Sequence, residues 1–346
     1  MPTKLNLLAL RNYFLVRIRG IFCYVLYIYR FYPGLKLAKL INKNPIVDIK
    51  IRNISYKMML DLNDEGIAID LFIGRLREYP NVLYFKKFLK EYSHRIDTVV
   101  EIGANIGYYV CYEDAIFKQV LKKKIHIFAV EPVSRNLSLL RENTKLNNVT
   151  DITLIQAAVG DKDKKINLVI PPQGNYTQVE GASGNERYKS NSVKEKIDMY
   201  TLRTLFSRYK IPRKNLLFRW DIEGYEYNLI KGNYDMFKEL KNVCIIMEFH
   251  AAFLKEKKIV EFLNLLKKLG FTLKLTVSCY PPYFIRMPNL VKRLLIKTWL
   301  MEHNGTHLDI LPEFKSLDDL ITGFQNPESA LYDYTNLHFY LVKENA

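Results

Sequence analysis

From residue 96 onward, short apolar runs alternate with stretches in which apolar side chains recur every three or four positions. That is the pattern of strands and helices alternating around a parallel sheet. The runs predict strands over 97–102, 125–130, 152–156, 215–220, 242–248 and 271–277. An extra strand is expected over 165–170, and a last one over 337–343 as an antiparallel edge. Helices are expected over 107–121, 134–147, 225–231 and 257–269, the last closed by Gly270. Upstream, residues 46–62 alternate apolar and polar well enough for a small hairpin, and 63–95 read as helix broken at Pro80. Residues 171–194 are polar, with Gly, Asn, Ser and Pro, and a loop that long is usually a lid or a binding loop. The chain thus divides into a basic helical extension with its hairpin (1–95), an α/β core (96–279), an insertion (280–335) and a last strand with tail (336–346).

Composition adds three constraints. With 346 residues, 49% of them hydrophobic, the chain buries a sizeable core. A net charge of +16 favours anionic partners, among them acidic lipids, phosphorylated glycans and nucleic acid. The four cysteines, Cys23, Cys111, Cys244 and Cys279, form no C-x-x-C pair, which argues against a zinc site or a disulfide framework and for a reducing, cytoplasmic setting. Residues 1–50 hold nine Lys or Arg and one acid, Asp48. Their nine-residue apolar run 21–29 is too short to span a bilayer and has no small-residue cleavage site. Two readings fit it: a helix lying on the inner face of an anionic membrane, or a helix packed on the main domain or on a second copy of the chain. Residues 287–300 form a second basic, apolar stretch that suits either a lipid surface or an active-site lid.

The chemistry gathers where parallel strands end. Glu101-Ile-Gly-Ala-Asn-Ile-Gly107 joins a strand to a helix, the arrangement that brings backbone N–H groups to a nucleotide-like ligand. Its G-x-x-x-G spacing is not the G-x-G-x-x-G of NAD or FAD enzymes. An acid two places before Gly103 suits a ligand with a cationic ammonium group. Asn105 fits two tasks, capping the following helix or holding that end of the ligand. Glu131, ending the second strand, suits both hydroxyls of a ribose, and the small Ala157 and Ala158 leave room for a flat base. Asp221 and Glu223 follow strand four and, in extended chain, would point to opposite faces. Asp221 is then the acid that reaches substrate, as base or hydroxyl-positioning group, while Glu223 meets substrate or bonds the start of the next helix. Glu248 ends strand five facing substrate, and His250 just beyond it is placed to take a hydroxyl proton. His303 and His307 are four apart, but Asn304-Gly305 breaks any helix between them, so no metal site is expected.

Seven motifs in order resemble the FkbM family of S-adenosylmethionine-dependent methyltransferases: Glu101 to Gly107, Val130-Glu131-Pro132, Arg141-Glu-Asn143 with Asn147, Ala158-Val-Gly-Asp161, Thr201-Leu202, Asp221-Ile-Glu-Gly224 and Met247-Glu248. The resemblance covers roughly 97–277. It implies a class I methyltransferase (Rossmann-like) fold, a seven-stranded sheet with helices on both faces and a reversed final hairpin. It also implies S-adenosyl-L-methionine as cofactor, held by Glu101, Gly103, Asn105, Gly107, Glu131 and Ala158, and methyl transfer to a hydroxyl. The chain departs from the family at Glu101 (usually Asp), at Arg203 (usually Asp) and at Arg219-Trp220 (usually lysine and an aliphatic residue). The expected acceptor is a small molecule, sugar, glycan or glycolipid. RNA is a second reading raised by the charge, but the segment after strand four lacks the Asn/Asp-Pro-Pro-Tyr/Phe motif of RNA base amino-methylation. A third is a non-catalytic membrane-surface protein that has kept the fold. Oligomeric state stays open.

Overall fold

The computed structural model of the protein describes residues 38–64, 67–72, 74, 76–171, 177–180, 192–278, 309–310, 314–326, 331 and 337–343. The run 21–29, most of 171–194 and the stretch 279–308, with His303 and His307, lie outside the described residues.

The chain begins with an antiparallel hairpin, β1 (Ile46–Ile51) and β2 (Ile54–Met59), followed by helices α1 (Ile67–Phe72) and α2 (Tyr79–Tyr92). The core opens with β3 (Thr98–Ile102), α3 (Tyr108–Ala115) prolonged by a π-helical turn to Leu121, β4 (His126–Val130), α4 (Ser134–Leu146) and β5 (Ile152–Ile155). Four short strands make a separate sheet: β6 (Ala158–Val159), β7 (Lys164–Ile170), β8 (Gln178–Val179) and β9 (Val193–Tyr200). Helix α5 (Leu202–Tyr209) leads to β10 (Lys214–Trp220), α6 (Glu226–Gly232), α7 (Tyr234–Glu239), β11 (Lys241–Phe249), α8 (Glu256–Lys268) and β12 (Phe271–Ser278). The described part closes with β13 (Asp309–Ile310), α9 (Leu317–Gln325) and β14 (Leu337–Lys343).

The main sheet runs β12-β14-β11-β10-β3-β4-β5, with the two-residue β13 added beside β12. All pairs from β11 to β5 are parallel, whereas β14 runs antiparallel to both neighbours. This order is the seven-stranded class I methyltransferase sheet, and here the reversed strand is interior. The expected edge position of 337–343 is therefore corrected. Six of its seven residues are buried, as a strand covered on both faces requires.

Each face of the sheet carries its own core. Val100, Ile102, Phe218, Trp220 and Ile245 face α5, α6 and α8, and α8 answers with Ile259, Phe262, Leu263 and Leu266 at helical spacing. On the other face Val99, Ala129, Leu217 and Ile246 meet α3, α2 and the hairpin through Tyr112, Phe85 and Met58. The described part of the N-terminal extension therefore shares a core with the sheet. Asn143 ties it down: its Oδ1 accepts the Met59 N–H (2.6 Å), and its Nδ2 donates to the carbonyls of Met59 (3.2 Å) and Ile106 (2.8 Å). The sequence suits Asn143 and Asn147 to a helix-end device, and Asn147 does close α4, its N–H (3.2 Å) and Nδ2 (2.8 Å) both donating to the Asn143 carbonyl; it also holds β2 through both backbone groups of Lys57. No helix among the described residues is long and apolar enough to cross a membrane.

Candidate functional site

Strand order reverses between β3 and β10, and the turns leaving these strands touch through their backbones. Gly103 lies at φ +82°, where a Cβ would stand 2.1 Å from the Asp221 carbonyl oxygen. Only glycine supplies both that conformation and that closeness. The N–H groups of Gly103 and Ala104 donate to the Val130 carbonyl (2.9 and 3.0 Å), and the Asp221 N–H donates to that of Ile102 (3.1 Å). Asn105 is also left-handed (φ 50°), and its Oδ1 accepts the N–H of Ile106. Its own N–H donates to Oε2 of Glu131 at 2.8 Å. The Glu131 Oε1 accepts from the Val133 N–H (3.0 Å) and from Asn136 Nδ2 (3.3 Å). Burial pushes the Glu131 carboxyl up to about 7, against the pull of these hydrogen bonds.

A cavity of about 340 Å³ opens over the strand ends, within the range of small-molecule sites. Gly103, Asn105, Glu131 and Ala158 line it, and Asp221 and Glu223 also face it. Ile102, Val133, Val159 and Met199 give it apolar sides. Glu101, Gly107, Glu248 and His250 are not among its walls. Gly107 is spent on packing, since a Cβ there would meet Leu140 at 2.6 Å. Glu101 is fully buried on the sheet face opposite Trp220 and accepts from the Arg219 guanidinium at 2.9 Å. Arg219 lies 3.9 Å over the Tyr109 ring and 3.9 Å from Asp221 Oδ2. Burial pushes Glu101 up to about 7, opposed by Arg219.

Asp221, Glu223 and Glu248 converge on His250 Nε2 at 3.8, 3.7 and 3.7 Å. This corrects the expectation that Asp221 and Glu223 point apart. The chain is not extended there: Glu223 and Gly224 are both left-handed (φ 50° and 91°), which turns the second carboxylate back beside the first. The bond to the helix start expected of Glu223 comes instead from Glu226, whose Oε1 accepts the Gly224 N–H at 3.1 Å and lies 2.8 Å from His250 Nδ1. Burial and the neighbouring Asp221 charge raise Glu223 to about 8. Burial opposes charge on His250, but Glu226, Glu248 and Glu223 outweigh it and hold the imidazole well above its usual pKa. Among the described residues, two ligand-type sets, Asp221–Glu248–His250 and Glu78–Glu248–His338, each bring one donor atom per residue within 4.8 Å of one another. A protonated His250 offers no lone pair, so an ion in the first set must displace a proton.

Arg203, the departure after Thr201-Leu202, sits on the surface with Glu239 (2.6 Å), away from the site. Thr201 caps α5 by accepting the Thr204 N–H. Sequence reasoning missed Glu226, Glu78 and His338. The spacing of Glu226 from Gly224 was a visible signal, whereas Glu78 and His338 meet only through the fold, at 3.8 Å.

Strand order and site together define a class I methyltransferase domain. The FkbM methyltransferase domain profile matches residues 101–273, half of the chain, and the protein belongs to that family. The FkbM methyltransferase of Methylobacillus flagellatus is similar at 18% identity and a TM-score of 0.34, over 52% of this chain and 40% of that one. This chain thus spans less than half the length of that relative. The precorrin-6y C5,15-methyltransferase of Geobacter metallireducens is similar at 10% identity and a TM-score of 0.35, over 78% of this chain and 87% of that one. The plantazolicin methyltransferase BamL, crystallised with a desmethyl analogue and SAH, is similar at 10% identity and a TM-score of 0.37, over 78% and 86%. No curated protein sequence matches the chain.

Proposed function

We propose that the protein binds S-adenosyl-L-methionine and transfers its methyl group to a hydroxyl of a small-molecule or glycan acceptor. The observation that carries this reading is one cavity with a carboxylate at the end of β4 and carboxylates at the end of β10. The donor set fits the cofactor. Glu131, with three of its four acceptor positions taken, keeps one for a ribose hydroxyl beside the small Ala158, and Asp221 offers negative charge to a sulfonium or an ammonium. When bound, the cofactor supplies a methyl group on a positively charged sulfur. The chain's own residues do the rest.

Glu131 and the Gly103–Asn105 turn fix one end of the cavity, so the acceptor approaches over the β10 and β11 ends. Asp221 stands between two cations, Arg219 at Oδ2 and His250 near Oδ1, and is partly open to the cavity. It is the group that takes the acceptor's proton. His250, held as a cation, steadies that carboxylate, so the proton-accepting task expected of His250 passes to Asp221. Glu223 completes the polar floor, and Glu248 stands behind it against His250. Lys164, Asn228 and Lys258 add donors along the cavity wall, which suits an oxygen-rich acceptor. Holding acceptor and methyl donor in line supplies most of the acceleration.

The test is transfer of labelled methyl from S-adenosylmethionine to hydroxyl-bearing glycans and small molecules, with RNA as a comparison acceptor. Asp221→Asn is expected to keep cofactor affinity within about threefold and to lower transfer roughly 100-fold, the scale of a lost general base. Wild-type transfer rates in Asp221→Asn would remove Asp221 from that role, and label found only in RNA would overturn the acceptor class.

A further inference from the structure

Glu226 opens helix α6, and its side chain is entirely removed from solvent. A carboxylate at a helix start is favoured by the helix dipole. The dipole does not explain why this one turns inward onto a ring carried by another element. Its Oε1 gathers the Gly224 N–H (3.1 Å) and His250 Nδ1 (2.8 Å), joining the turn after β10 to the loop after β11. The plane of the imidazole is set from its other side by Phe253, stacked at 5.6 Å with 8° between the rings. Phe253 can stand there because Gly224 has no side chain, since a Cβ at 224 would lie 2.6 Å from the phenyl ring. Stacking alone leaves two ring orientations half a turn apart. A carboxylate at Nδ1 selects one of them, and the other nitrogen then faces the cluster.

We propose that Glu226 is a positioning residue of the transfer site: bonded to Nδ1, it holds the His250 ring so that Nε2 faces the oxygens of Asp221, Glu223 and Glu248. Its place in transfer rests on the methyltransferase reading; the orientation of the ring does not. Glu226 acts only through His250 and touches neither cofactor nor acceptor, and it is not among the cavity walls. The charged groups around the ring are Glu226 on α6, Asp221 and Glu223 in the turn, Glu248 on β11 and, past Asp221, Arg219 on β10. His338 on β14 also couples to this ring, and burial lowers it to about 4, so it brings no opposing charge near neutral pH. Among the described residues four carboxyl groups face the ring nitrogens of His250, and Arg219 lies beyond Asp221. Glu226 is the one at hydrogen-bond distance, so its removal should be felt most.

The experiment is a titration of the full chain labelled with 13C at histidine, from about pH 5 to about pH 10, around the ordinary histidine value of about 6.5. The His250 resonance is assigned by its loss in His250→Gln. Wild-type His250 is expected to stay protonated well above the ordinary value, and Glu226→Gln to lower its midpoint by about one pH unit or more, as loss of an adjacent opposite charge does. Glu226→Asp keeps the charge but withdraws it by one methylene, and its midpoint should fall between the two. A structural role alone would lower the melting temperature of the variants and leave the titration in place, and that result would overturn the proposal. A wild-type midpoint near the ordinary value would overturn it too, without need of any variant. Cofactor binding is measured by calorimetry on the same samples. Its absence from all of them would refute the methyltransferase reading, while the titration alone would still decide whether Glu226 orients the ring.

Discussion

Asn143 shows how much one side chain can carry in this fold. It is fully buried and serves three backbone groups, two on β2 and one on the turn before α3. Removing it leaves those groups without partners in a dry environment, which costs about 2–3 kcal/mol. Asn143→Ala should lower stability by that amount in urea melts, and hydrogen exchange should show β2 opening first. A change below about 0.5 kcal/mol, ordinary for surface substitutions, would contradict the role assigned to it. Charged residues here follow the same logic of partners. Glu101 and Arg219 lie opposite each other in register on adjacent strands, so each buries its charge against the other. The usual lysine at 219 would also bring a cation, but not the flat guanidinium that lies over Tyr109.

At the scale of elements, two glycines with the same backbone angle separate conformation from crowding. Gly103 and Gly270 both lie at φ +82°, but a Cβ at 270 meets nothing within 4 Å, while one at 103 meets backbone. Gly270→Ala should cost about 1 kcal/mol, the left-handed penalty alone. Gly103→Ala should cost well over about 2 kcal/mol, because the turns leaving β3 and β10 must separate. Equal melting temperatures for the two variants would contradict this. The same distinction explains what was legible in the sequence. The parallel strands of the main sheet were, because each is built on a short run of apolar residues, and Gly270 announced the end of α8. Helix α5 and strand β9 were not, since Leu202–Tyr209 offers only three buried positions and Val193–Tyr200 follows a polar stretch. Strand direction and order at 337–343 are set by what packs beside it, which periodicity does not contain. Asp221, Glu131 and Gly103 could be named from strand-end positions. The clasp of Glu226 on His250 depends on two left-handed residues whose angles no spacing reveals.

Across the whole molecule, buried acids make stability depend on pH in a definite sense. Glu101 and Glu131 are raised to about 7 and Glu223 to about 8 by burial. A raised carboxyl contributes stability fully present below its unfolded value of about 4.3, and that stability is lost as pH rises through the folded value. His250, raised by its carboxylate neighbours, adds a loss in the same direction above about pH 6.5. His338, lowered to about 4 by burial, acts the other way, but its contribution is complete above about pH 6.5. The melting temperature of the cofactor-free protein should therefore fall between about pH 6.5 and about pH 8, with a shallower fall in Glu131→Gln. A rise across that window would mean that these acids are ionised at no cost. The central claim is that the cavity between Glu131 and Asp221 holds S-adenosylmethionine. Calorimetric titration of the wild-type protein and of Glu131→Ala with S-adenosylmethionine and S-adenosylhomocysteine tests it most directly. Wild-type binding is expected in the micromolar range, with affinity at least about tenfold weaker in the variant, a loss of roughly 1.4 kcal/mol. A folded wild-type protein that binds neither compound, or a variant that binds both as tightly, would contradict it.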